Sequence, residues 1–194
     1  MDTAKKELRR RMLALRRSLS EKERHEMSTQ IRKELLSRRE IQEAENILCY
    51  ANYGQEVETL PFLADCLLLG KQVYCPLVTG KEMEFYRISS VDELQEGFHG
   101  IPEPLRDEAR LYFPQMGCQK DVMIMPGVVF DLSYHRIGYG GGYYDRYLSR
   151  MEKLYTIAVA FSHQVVDEIP FEEYDICPQI VLTEKGEVKK QGRQ

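Results

Sequence analysis

The sequence predicts an α/β protein: a single three-layer domain spanning residues 1–194, with a mostly parallel sheet flanked by helices and an N-terminal helical hairpin. Three observations carry that expectation. Short apolar runs alternate with helical patterns, which is how strand, helix and strand follow one another in a parallel sheet. The most apolar run, residues 121–130, stands shortly before a glycine-rich stretch, as a central strand does when it feeds a loop and a helix. A chain of 194 residues is long enough for one substantial core and short for two.

From Thr3 to about Leu19, Leu8, Met12, Leu15 and Leu19 recur at the spacing of one helical stripe, with lysines and arginines on the other faces. Ser20 and Glu23 form a capping box that opens a second helix running to about Arg39, and the two helices make the hairpin. Residues 46–52 read as a short buried strand. Thr59 caps a helix with Pro61 in its first turn, which ends near Gly70. Residues 72–78 and 84–88 are two further strands. A loop-rich stretch from Glu96 to Lys120, with prolines at 102, 104 and 114, has the character of an active-site border rather than a linker. Residues 121–130 form the central strand, a helix follows the glycines, and residues 155–161 form another strand. The tail from Glu187 to Gln194 is polar and expected to fray.

Hydrophobic residues make up 43% and charged residues 30% of the chain, ordinary for a globular protein and outside the regime of disorder. A net charge of -4 argues against general affinity for nucleic acid. No apolar run approaches the roughly 18–20 residues that span a bilayer, and no apolar segment follows the N-terminal charges. The expectation is a cytoplasmic monomer that binds neither membrane nor nucleic acid. The five cysteines, at 49, 66, 75, 118 and 177, are scattered without a paired motif, so reduced and mostly buried thiols are expected rather than disulfides or zinc ligands. His25, His99, His135 and His163 are equally isolated, and neither Ser133 nor Ser162 stands in a nucleophile-elbow context.

The chemistry therefore concentrates in Arg136–Arg150, where Gly138, Gly140, Gly141 and Gly142 lie between a strand and a helix. Beyond the carboxyl ends of strands in an open α/β sheet, glycines let phosphate oxygens approach backbone N–H groups at a helix start. The glycines alone are equally consistent with a turn that only reverses the chain. Their spacing matches neither the P-loop nor the dinucleotide fingerprint. The neighbours favour a ligand: Arg136 offers a phosphate fork, Asp145 a ligand for a hard cation such as Mg²⁺, and Tyr143 and Tyr144 offer flat faces to a ring. The residues alone thus indicate a protein that binds Mg²⁺ and a nucleotide or phosphorylated ligand.

Residues 125–131, Met-Pro-Gly-Val-Val-Phe-Asp, followed by residues 136–148, Arg-Ile-Gly-Tyr-Gly-Gly-Gly-Tyr-Tyr-Asp-Arg-Tyr-Leu, resemble the signature of the 5-formyltetrahydrofolate cyclo-ligase family, also called methenyltetrahydrofolate synthetase. Lys5–Arg9, Glu56–Thr59, Gly100–Pro104 and the run from Phe161 to Asp175 fall where that family has counterparts, so the likeness covers essentially the whole chain. The resemblance implies an ATP- and Mg²⁺-dependent enzyme that turns 5-formyltetrahydrofolate, with or without a polyglutamate tail, into 5,10-methenyltetrahydrofolate, ADP and phosphate. It implies that ATP phosphorylates the formyl oxygen before N10 attacks.

Carried over by position, the resemblance puts Lys5, Arg9, Arg136, Gly138, Tyr139, Gly140, Gly141, Gly142, Tyr143 and Tyr144 on ATP, with Arg136 and Tyr144 acting in catalysis. It puts Glu56, Ala51, Glu103, Tyr143 and Gln164 on the folate, and Asp145 and Asp175 on Mg²⁺. The sequence departs from the family's pattern in the turn Ser133-Tyr134-His135, where a glycine is common, and at Ile137, where leucine is usual. Two rivals stay open at this point: a sugar-phosphate isomerase on a related fold, and an RNA-binding module using the basic N-terminal helix.

Overall fold

In the computed structural model, residues 3–97, 100–113, 120–151, 154–172 and 175–191 are described. Pro114, Cys118, His99 and the last three residues of the tail lie outside them. The elements are α1 (Thr3–Ser18), α2 (Glu21–Ser37), α3 (Arg39–Glu43), β1 (Asn46–Cys49), α4 (Leu60–Leu68), β2 (Gln72–Thr79), β3 (Glu82–Ile88), β4 (Gln95–Glu96), β5 (Pro102–Glu103), β6 (Asp121–Met125), β7 (Val129–Asp131), β8 (Arg136–Ile137), α5 (Tyr143–Leu148), β9 (Tyr155–Val159), β10 (Val165–Val166), β11 (Ile180–Thr183) and β12 (Gly186–Glu187).

The main sheet runs β12-β11-β9-β6-β1-β2-β3. Its inner strands β11, β9, β6, β1 and β2 are mutually parallel, and β12 and β3 close the two edges antiparallel. Strand faces alternate as a parallel sheet covered on both sides requires. Ile47, Cys49, Val122 and Ile124 face Ile31 and Leu35 of α2, Ile41 of α3 and Phe62 and Leu63 of α4. Leu48, Met123 and Met125 face the other way, toward Tyr147 and Leu148 of α5. These are the three layers the sequence predicts.

Read in chain order, the parallel strands stand as second, first, third, fourth and fifth. The order reverses between β1 and β6. In such sheets the crevice between the two strands at the reversal is the ligand-binding position.

Several elements differ from the expectation. The stripe on α1 departs from the expectation at one position: Leu8, Met12 and Leu19 pack inward, but Leu15 is 42% exposed, and Arg16 beside it is buried at 4%. Met12 packs with Val128, Val129, Ile137 and Ile169, whereas α2 packs on the main sheet, so the two helices serve separate clusters rather than closing a hairpin on each other. The capping box at Ser20 is present, but α2 stops at Ser37 because Arg38 is extended and α3 starts afresh. Thr59 does not cap α4 with its side chain. Its hydroxyl donates to Tyr50 O at 2.6 Å, and the Asn52 side-chain oxygen accepts from the Thr59 and Leu60 amides at 2.8 and 3.0 Å.

The central apolar run splits at Pro126-Gly127 into β6 and β7. A Cβ at Gly127 would sit 2.3 Å from the Phe130 ring, so the bend depends on the missing side chain. Strand β7 then joins β8 and β10 in a small sheet, and β8 carries Arg136. The turn before Arg136 is organised by buried Asp131. Its Oδ1 accepts from the Ser133 and His135 amides, both at 2.9 Å, and its Oδ2 meets His135 Nδ1 at 2.8 Å and accepts from Ile169 N at 3.2 Å.

Tyr134, in the turn before Arg136, has φ 72°, the left-handed region. Its hydroxyl donates to Val188 O, and Lys190 Nζ lies 5.0 Å from its ring centroid. Tyr134→Ala keeps the left-handed strain and loses the ring, whereas Tyr134→Gly loses the ring and the strain together. Denaturant unfolding is expected to show both variants destabilised, with the glycine variant the more stable of the two by about 1 kcal/mol. The opposite order would contradict this account of the turn.

Candidate active site

A cavity of about 650 Å³ opens where the strand order reverses. Tyr50 and Ala51, just past β1, and Pro126, just past β6, form its floor. Pro76, Val78 and Met83 from the β2–β3 hairpin and Ile101 from the border loop give it an apolar wall. The glycine loop closes the opposite side, and Lys5 and Arg9 of α1 reach over one end. All the site residues expected from the sequence line this cavity except Gln164.

Gln164 is 1% exposed and its amide is spent on backbone. Nε2 donates to Gly127 O and Val128 O, both at 3.0 Å, and Oε1 accepts from Phe161 N at 2.9 Å. It sits behind the bend at Pro126 and holds it in shape. The resemblance put Gln164 on the folate; in the structure it stands outside the cavity lining, with both amide N–H groups bonded to backbone.

The glycine loop behaves partly as expected. Gly140 and Gly142 take φ values of 104° and 65°, while Gly138 and Gly141 do not enter the left-handed region. Gly142 caps α5, and a Cβ there would meet Arg146 Nη1 at 2.8 Å. Since α5 has only six residues, its dipole adds little, and positive charge at the loop comes mainly from side chains. Arg9 Nε donates to Gly138 O at 2.7 Å, and Arg146 donates to Gly141 O at 2.7 Å and to Lys81 O. Among the described residues neither arginine forms an ion pair with a carboxylate, so both leave their charge free to attract an anion at the loop.

The other charges at this end are paired. Arg136 Nη2 lies 2.8 Å from Asp145 Oδ1, and Lys5 Nζ lies 2.6 Å from Asp175 Oδ2. Asp145 Oδ1 also accepts from the amide of Ile176 at 3.2 Å, which brings the segment carrying Asp175 against it. Two carboxylates thus meet two cations at the edge of one cavity. No third His, Cys, Asp or Glu completes a protein-only metal cluster among the described residues. That donor set suits Mg²⁺, which takes one or two carboxylates and fills its remaining positions with water and phosphate oxygens.

Glu56, which also lines the cavity, is 8% exposed. Burial pushes its carboxyl above the usual carboxylate range, against the pull of the Tyr53 amide, the Tyr139 hydroxyl and the Arg16 charge. Oε2 accepts from Tyr53 N at 3.0 Å. Tyr144 turns its phenol inward, and burial raises it well above its ordinary value, with Cys49 and Glu56 adding to the rise. The Arg136 guanidinium lies 5.9 Å from the Tyr144 ring centroid. Tyr143 closes the cavity toward the β2–β3 hairpin, its hydroxyl donating to Gly80 O at 3.2 Å, and Arg146 stacks 5.0 Å from its ring. Glu103 is buried beside β2 and accepts from Val78 N at 3.2 Å.

The 5-formyltetrahydrofolate cyclo-ligase family matches over residues 1–184. The chain belongs to that family. The mouse 5-formyltetrahydrofolate cyclo-ligase is 30% identical over 95% of this chain and 95% of its own length. The Escherichia coli K12 protein of the same name is 27% identical over 87% of this chain and 93% of its own. The solved structure of Aquifex aeolicus 5,10-methenyltetrahydrofolate synthetase is 34% identical and superposes with a TM-score of 0.84, covering 99% of this chain and 96% of that one. Membership in the cyclo-ligase family decides among the readings the sequence left open, against the isomerase and the RNA-binding module.

Within this cyclo-ligase, Arg146 and Arg16 are the polar residues that sequence reasoning passed over. Arg146 directly follows Asp145 in the motif and could have been included. Arg16 gave no signal, because a single arginine on a basic helix reads as solvated.

The raised carboxyl of Glu56 has a consequence for stability. The folded state holds the Glu56 proton more readily than the unfolded chain, so its contribution is most favourable at acid pH and is lost as pH rises through the folded value. Glu56→Gln is therefore expected to raise the melting temperature at neutral pH, each ~1 kcal/mol regained appearing as roughly 2–4 °C in a chain of this size. The gain should shrink as pH is lowered. A variant that melts lower than wild type at neutral pH would contradict the buried-charge reading.

Proposed function

We propose that the cavity is a two-part active site, with MgATP at the end formed by Lys5, Arg9, Arg136, Asp145, Asp175 and the glycine loop, and the folate extending toward Glu56 and the apolar wall. As a cyclo-ligase of its family, the protein converts 5-formyltetrahydrofolate and ATP to 5,10-methenyltetrahydrofolate, ADP and phosphate. The observation that carries the assignment is the pair of ion pairs, Arg136–Asp145 and Lys5–Asp175, lining the same cavity as the glycine loop and buried Glu56.

The reaction needs positioning more than a covalent protein group. A formamide oxygen leaves carbon poorly. Its lone pair takes the γ-phosphoryl group, the bond to the β-phosphate oxygen breaks and ADP departs. N10 then attacks the activated carbon and loses its proton, and the carbon–oxygen bond breaks to release phosphate. Arg136 lies where charge grows on the transferring phosphoryl group, and its fork suits two phosphate oxygens. Lys5 and Arg9 hold the remaining phosphates from above, and glycine-loop amides approach them from below. Asp145 and Asp175 would hold Mg²⁺, which when bound neutralises phosphate charge. Tyr143 and Tyr144 wall the region where the two substrates meet, and Ala51 and Glu103 border the folate. The buried thiols Cys49, Cys66 and Cys75 fit a cytoplasmic enzyme.

Mixing the protein with ATP, Mg²⁺ and 5-formyltetrahydrofolate is expected to give the absorbance of the methenyl product, with one ADP formed per product. Product formed without ATP consumption, or none at high enzyme concentration, would overturn the assignment.

A further inference from the structure

Arg146 is exposed, yet its guanidinium is spent on two backbone carbonyls from distant parts of the chain. Nε and Nη2 donate to Lys81 O at 3.2 and 2.7 Å, and Nη1 donates to Gly141 O at 2.7 Å. Gly80 and Lys81 form the two-residue turn of the β2–β3 hairpin, where Thr79 pairs with Glu82 and Gly80 takes φ 62°. Carbonyls of such a turn lie beyond the strand ladder and are left to water or to side chains. Gly80 O accepts from the Tyr143 hydroxyl at 3.2 Å, so Tyr143 and Arg146, one helical turn apart on α5, take both carbonyls of the turn. The grip continues along β3, where Tyr147 packs on Phe85 with ring centroids 4.9 Å apart and Arg150 Nη2 donates to Met83 O at 3.3 Å.

The loop side of this bridge is shaped for the same contact. A Cβ on Gly141 would sit 2.5 Å from the Tyr143 ring, and one on Gly142 would sit 2.8 Å from Arg146 Nη1. Gly141 and Gly142 thus make room for the side chains that hold the loop. The hairpin is the stiffer partner: β2 and β3 pair continuously from Val73 opposite Ile88 to Thr79 opposite Glu82, whereas a glycine-rich loop has little stiffness of its own.

We infer that Arg146 is a positioning residue that anchors the glycine loop to the tip of the β2–β3 hairpin and so fixes the phosphates of ATP relative to the folate. This role rests on the proposed placement of ATP at the loop and of the folate along the apolar wall, to which the hairpin contributes Pro76, Val78 and Met83. Phosphoryl transfer requires the γ-phosphate and the formyl oxygen to meet in line, and a shift of about 1 Å in one partner costs rate even where both bind. Arg146→Lys keeps the charge that attracts an anion but loses the planar fork that reaches two carbonyls at once.

Steady-state kinetics and thermal melts of Arg146→Lys and Arg146→Met, with Arg136→Ala run alongside, test the anchor. In both Arg146 variants kcat should fall about tenfold, because both lose the bridge. The KM for ATP should rise in both, and further in Arg146→Met, which also loses the charge. Raising salt from about 0.05 to about 0.5 M should shrink that difference in KM and leave the shared loss of kcat in place, since screening acts on the charge and not on the hydrogen-bonded bridge. A kcat for Arg146→Lys within about twofold of wild type would reduce Arg146 to an attracting charge and overturn the anchor. Lower melting temperatures with wild-type kcat in both variants would also overturn it, leaving a structural tie between α5 and the hairpin. If that happens while Arg136→Ala loses turnover and ATP affinity, the placement of ATP stands and the anchor alone falls. If Arg136→Ala keeps wild-type ATP kinetics, the placement itself falls, and the anchor with it.

Discussion

Asp145→Asn is expected to lower turnover by roughly 10²–10³-fold at ordinary Mg²⁺ concentrations, the scale of several kcal/mol of lost charge stabilisation. The amide removes a negative ligand from a set of two carboxylates, and raising Mg²⁺ should restore part of the rate. The same change acts on the free protein. Arg136 has a side chain only 5% exposed and Asp145 is its carboxylate partner at 2.8 Å, so the variant buries a guanidinium against a neutral amide. Because Asp145 is itself 26% exposed, solvent covers part of that loss, and a destabilisation of about 1 kcal/mol is expected rather than the larger cost of breaking a fully buried pair. A variant with wild-type turnover and unchanged Mg²⁺ dependence would remove Asp145 from the metal site.

Arg136→Ala should have an effect of similar size for a different reason. Removing a preorganised donor from the transferring phosphoryl group costs about 10²–10³-fold in kcat. Loss of ground-state phosphate binding should raise the apparent KM for ATP by about tenfold at the same time, as a residue that acts on both bound and transferring phosphate requires. Arg136→Lys restores a charge without the two-pronged fork, so it should recover ATP affinity better than kcat. Unaltered ATP kinetics in Arg136→Ala would exclude it from the phosphate site. The turn that delivers Arg136 also bears on this result, since Asp131 and left-handed Tyr134 hold residues 131–135 in place.

The parallel core of the sheet was legible because buried strands such as Asp121–Met125 leave continuous apolar runs, and the glycine motif was legible because its spacing is local. The break at Pro126-Gly127 was also present in the sequence, as a turn-forming dipeptide inside an apolar run, but the run's hydrophobicity outweighed it. Strand β11, Ile180–Thr183, was missed because four residues give too short a pattern to stand out. The orientation of α1 was read only in part, through Leu8 and Met12 and, by resemblance, Lys5 and Arg9. Its leucines define a stripe that fails at Leu15, and beside that stripe the helix turns Lys5, Arg9 and Arg16 inward, toward Asp175, Gly138 and Tyr139. Those partners lie 170, 129 and 123 residues away in the chain, so no local periodicity registers them. Local rules fail most at functional sites, where a charge is buried for a ligand or a partner rather than for the fold.

The central claim is that Asp145 and Asp175 exchange their ion pairs with Arg136 and Lys5 for a phosphate-bound cation. Calorimetric titration of ATP into the protein, with and without Mg²⁺, tests it most directly. Wild type should bind ATP at least tenfold more tightly with Mg²⁺, and the double variant Asp145→Asn, Asp175→Asn should lose that difference while still binding ATP alone. Equal affinity with and without Mg²⁺ in the wild-type protein would contradict it.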